Sequence, residues 1–68
     1  MKAEVKIILK EKGQESIFDG YRYKVCKDVM KQAMSSDIKM KMLLQISPEI
    51  RAEFIADQMI KLVTMGAI

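Results

Sequence analysis

The chain has 68 residues, half of them hydrophobic and 31% charged, with a net charge of +3 at neutral pH. That length allows one domain (1–68), whose lone core buries only roughly 60% of the surface the unfolded chain exposes, so added support is expected. A single cysteine, Cys26, and the absence of histidine exclude an internal disulfide and argue against a metal site, leaving self-association or an obligate partner as that support.

No apolar run is long enough to span a bilayer, and "VKIIL" near the start is too short for the core of a signal peptide. A lone cysteine fits a reducing compartment, so the cytoplasm is the expected location. Charge is uneven. Residues 1–41 carry ten Lys/Arg against six Asp/Glu, and residues 42–68 carry two against three. An anionic partner for the first part is conceivable on that ground, although the density is below that of a dedicated nucleic-acid binder.

In chain order, Val5, Ile7 and Leu9 alternate with Glu4, Lys6, Ile8 and Lys10, which predicts a strand with one buried face. Gly13 in "EKGQE" suits a hairpin turn. The stretch "SIFDGYRYKV" has two readings. As a strand to about Tyr23 it places Ile17, Tyr21, Tyr23 and Val25 on one side. As a helix entry, Asp19 would cap a helix beginning at Gly20, with Phe18 as its staple. The strand is preferred, because an isolated first strand needs a neighbour and a hairpin supplies one.

From Val25 the period changes. Val25, Cys26, Val29, Met30, Ala33 and Met34 form a helical stripe, which "SSD" at 35–37 interrupts. In "IKMKMLLQIS" (38–47) the apolar Ile38, Met40, Met42, Leu44 and Ile46 fall on every second residue, with only Leu43 out of step. Period outranks local propensity as a signal, and Pro48 holds Ser47 away from helical geometry, so a third strand is predicted. A last helix follows, with Ser47 as N-cap, Pro48 in the first helical position, Glu49 at the positive end of the dipole and Gly66 as the stop. The expected fold is α+β, in the order ββαβα: a hairpin and a third strand forming a small sheet, with two helices packed on one face.

Catalytic chemistry is poorly supplied. Without histidine a general base would have to be Asp, Glu, Lys or Tyr, and the acidic residues are scattered among lysines. Cys26 lies on the apolar side of its helix, where a thiol acts as a small hydrophobe rather than an activated nucleophile. Gly13, Gly20 and Gly66 stand alone and build no phosphate-cradling loop. No cofactor is expected. Met30, Met34, Met40, Met42 and Met59 fall on predicted core faces, which makes them gap-fillers rather than an adaptable binding surface; Met65 is the exception.

Two candidate surfaces remain. In the last helix Ala52, Ile55, Ala56, Met59, Ile60, Leu62 and Val63 make the main stripe. Ile50, Phe54 and Met65, with Lys61 between the last two, form a second apolar strip. A helix apolar on two sides is usually sandwiched, which makes these four residues the candidate subunit or partner interface. The alternative surface is basic: Lys24, Lys27 and Lys31 on one side of the first helix, Arg22 beside them in sequence, and Lys39 and Lys41 on the outward face of the third strand. Such a set could bind a nucleic-acid backbone. The leading expectation is a small non-enzymatic protein acting through protein–protein contacts, as a homodimer. It would serve as an accessory or regulatory factor of the kind small phage or mobile-element genes encode. Nucleic-acid binding ranks second, and an enzyme subunit that needs a partner's residues to complete a site ranks third.

Overall fold

A computed structural model describes residues 1–68, and it is all-helical. Helices α1 (Lys2–Glu11), α2 (Gly20–Ser36), α3 (Ile38–Ile46) and α4 (Pro48–Thr64) follow one another, with a short 3-10 turn at Glu15–Ile17 between the first two. No strand is present, so the expected ββαβα sheet and the α+β class are corrected to a four-helix arrangement.

Each helix boundary has a chemical cause. Gly13 and Gly66 are the two residues with positive φ, at 70° and 74°. Both end a helix with the same paired bonds: Gly13 N–H to Lys10 O and Gln14 N–H to Leu9 O after α1, Gly66 N–H to Val63 O and Ala67 N–H to Leu62 O after α4. A left-handed residue lets the backbone turn back onto the last orphan carbonyls, and only glycine takes that conformation without a Cβ penalty. The polar stretch around Gly13 is therefore a helix stop rather than a hairpin turn.

Asp19 starts α2. Its carboxylate accepts the Arg22 N–H at 2.7 Å, and Phe18 packs on Tyr23 with ring centroids 6.2 Å apart. This is the capping-plus-staple arrangement, in which a residue before the cap meets one four positions after it. The strand predicted over this stretch is thus replaced by a helix that begins at Gly20, ahead of the stripe at Val25. Tyr23 turns inward, while Tyr21 stays 68% exposed.

The remaining joints are single residues. Asp37 closes α2 and accepts the Met40 N–H at 3.1 Å to open α3. Ser47 separates α3 from α4; its Oγ accepts the Ile50 N–H at 3.3 Å and its hydroxyl donates to Glu49 at 3.0 Å. Pro48 occupies the first turn of α4 as expected. Asp19→Ala and Asp37→Ala are each expected to lower stability by ~1 kcal/mol. Urea midpoints for the two variants check this, and wild-type midpoints would mean that the caps do not set these helix starts.

The core consists of Val5 and Leu9 from α1, Tyr23, Cys26 and Met30 from α2, Leu44 from α3, and Ala52, Ile55, Ala56 and Met59 from α4. Helix α4 is the hub: it packs against α1 and α2, and α3 leans on α2 and α4. The small Ala52 and Ala56 on its inner face permit close approach of neighbouring helices.

The predicted first and third strands fail for one shared reason. On a helix, residues two apart lie about 200° round the axis, so an alternating apolar pattern divides into two ladders on opposite faces. In α1, Val5 and Leu9 go inward and Ile7 stays 56% exposed. In α3, Leu44 is buried and Met40 half-buried, whereas Ile38, Met42 and Ile46 face outward at 79%, 62% and 76% exposure. The placement of Met42 on the core face is corrected accordingly. Met30 and Met59 are buried, and Met34 and Met40 are half-buried against the core.

Candidate protein-contact surfaces

Every fully buried residue is apolar, or carries only the Tyr23 hydroxyl or the Cys26 thiol, and the one enclosed charged-group atom without a hydrogen-bond partner is Nε of the half-buried Arg51. Burial pushes the Cys26 thiol up, which keeps it protonated and a poor nucleophile at neutral pH. Tyr23 is likewise pushed up, by burial and then by the nearby charge of Glu4. No three His, Cys, Asp or Glu side chains gather as a metal site would require.

The strip predicted on α4 is only partly open. Ile50 and Phe54 are half-buried and pack against the core, while Lys61 is exposed and Met65 is 67% exposed. The apolar surface left to solvent lies mainly on α3, where Ile38, Met42 and Ile46 succeed one another at one-turn intervals, with Leu43 beside them at 45% exposure. Lys39 and Lys41 flank this stripe on opposite sides, because they too are separated by about 200°. The helix carries no acidic residue. The signal for this face was present in the alternating pattern, in a form that reads equally as a strand.

The six basic residues are shared between α2 (Arg22, Lys24, Lys27, Lys31) and α3 (Lys39, Lys41). Lys24, Lys27 and Lys31 share one face of α2 by their three- and four-residue spacing. Arg22 is turned to other work: its guanidinium donates to Ile17 O at 3.1 Å and lies 3.6 Å from the Asp19 carboxylate. Lys39 and Lys41 are parted by the α3 helix itself. Neither cleft of the structure is lined by any of the six.

A feature that sequence inspection missed lies between α1 and the start of α4. A cleft of about 380 Å³ is lined by the apolar Ile7, Ile8, Pro48 and Ala52 and by Glu4, Glu49 and Glu53, with no basic residue. Glu4 stands on the α1 wall, and Glu49 and Glu53 stand one turn apart on the α4 wall. Two of these carboxyls are held below the usual range. For Glu4 the chief cause is a hydrogen bond from the terminal amine; for Glu49 it is a backbone hydrogen bond, followed by that of Ser47. Glu53 makes no ion pair within the chain, nor do Lys39 and Lys41, since the pairs formed are Met1–Glu4, Lys12–Asp57 and Arg22–Asp19. Ile7 also lines a smaller cleft on the other side of α1, beside Lys6 and Lys10.

Comparison with protein-family models, with curated proteins and with solved structures finds no match to this chain. No helix is long and apolar enough to cross a membrane. The functional reading therefore rests on the surfaces alone.

Proposed function

We propose that this is a non-enzymatic binding protein that works through protein–protein contacts and associates with itself. The observation that carries the reading is the outward ladder Ile38–Met42–Ile46. Large aliphatic side chains repeated at one-turn intervals on a solvent face form the anchor pattern of a helix that docks on another surface. Small chains with marginal cores commonly gain stability by association, which adds a second reason. Nucleic-acid binding ranks behind, since only Lys24, Lys27 and Lys31 share a face.

Met42→Glu tests this reading with little risk to the fold, because residue 42 is 62% exposed. Sedimentation equilibrium should return twice the 7.8 kDa chain mass for the wild type. The variant should return the single-chain mass with its helical circular dichroism intact. A wild type that stays at the single-chain mass up to millimolar concentration would contradict self-association.

A further inference from the structure

The α3 face and the acidic cleft are complementary. The face is an aliphatic ladder with a lysine on each flank and no acid. The cleft is apolar, with Glu49 and Glu53 unpaired on its α4 wall and Glu4, held by the terminal amine at 2.9 Å, on its α1 wall. A helix laid along such a cleft would set its ladder against Ile7, Ile8 and Ala52, and would bring one lysine to the Glu4 wall and the other to the Glu49/Glu53 wall. Opposite charges at the edge of an apolar contact fix register and exclude wrong partners. A contact of one α3 with another would instead bring Lys39 and Lys41 of both copies together, with no acidic residue on either helix to offset them.

We propose that the occupant of the acidic α1/α4 cleft is α3 of a second copy of this chain, with Ile38, Met42 and Ile46 as its anchors and Lys39 and Lys41 paired with Glu4, Glu49 and Glu53. The exchange is reciprocal. Helix α3 ends at Ile46, and the cleft begins at Pro48, just across the Ser47 joint. In each copy the inserted helix and the cleft are thus separated by a single residue of chain. When both contacts form at once around a two-fold axis, the assembly closes as a dimer rather than an open chain. This inference rests on the reading of α3 as a protein-binding face, and it names what that face binds.

Charge reversal separates the two ideas. The variants K39E/K41E and E49K/E53K should each dissociate, with the dimer dissociation constant raised at least about tenfold at low salt. Mixed in equal amounts they should return to the wild-type dimer mass, because each reversed helix then meets a reversed cleft. An unfolded variant could not be rescued in this way. Because Glu49 also sits at the start of α4, Glu53→Lys alone serves as a second variant and should weaken association in the same direction. If Met42→Glu is monomeric while E49K/E53K and Glu53→Lys dimerise as tightly as wild type, the cleft is not the seat; this inference is then overturned and the binding reading stands. A wild type that is monomeric at all concentrations overturns both, including the case in which that monomer binds anionic phospholipid vesicles through α3.

Discussion

Leu44→Ala is expected to cost ~2–5 kcal/mol of folding stability, while Met42→Ala, two residues away, should change it by no more than about 0.5 kcal/mol. Leu44 is the one fully buried residue of α3, with Met40 half-buried against the core beside it. Truncating it removes a large aliphatic group and leaves a cavity between α3 and its neighbours. Met42 lies on the opposite face, so its truncation exposes nothing new. A strand over the same residues would put both side chains on one face and make both truncations costly. Urea unfolding of the two variants, extrapolated to low protein concentration to remove association, separates the cases. Equal losses would contradict the helical assignment.

Ile55→Ala should be at least as damaging. Ile55 is fully buried on the inner face of α4, the helix that meets each of the other three. Its loss is again ~2–5 kcal/mol, but a core of this size rarely supplies more than ~3–5 kcal/mol in total. The variant should accordingly lose its cooperative thermal transition and most of its helical circular dichroism at room temperature. Retention of the wild-type melting midpoint would mean that the core is not centred on α4.

The helix-forming chemistry was unevenly readable. Helix α4 could be read in full, because Ser47, Pro48 and Gly66 mark its ends and its inner stripe is unbroken. The middle of α2 was equally plain. Its start was missed because the aromatic residues of "FDGYRY" favour sheets, whereas the decisive interactions are local ones: the Asp19 cap and the contact of Phe18 with Tyr23. In α1 and α3 the error lay in the period. Two apolar ladders on opposite faces of a helix produce the same every-other-residue pattern as one face of a strand. A strand places the whole set in the core, and a helix leaves half of it outside.

The same ambiguity governs the candidate surfaces. A helix apolar on two sides is usually sandwiched, and on α4 the second strip is half-covered, with Ile50 and Phe54 packed against the core. The rule applies with more force to α3, whose second face is open. The acidic cleft could not be read from sequence, because Glu4 and Glu53 lie near opposite ends of the chain and meet only when α1 packs beside α4.

The most direct test of the central claim, that residues 38–46 form a helix apolar on both faces, is a backbone NMR assignment of this segment. Cα shifts displaced downfield from random coil together with sequential amide–amide contacts across Ile38–Ile46 are the predicted result. Upfield Cα shifts with cross-strand contacts between this segment and residues 4–10 would contradict it.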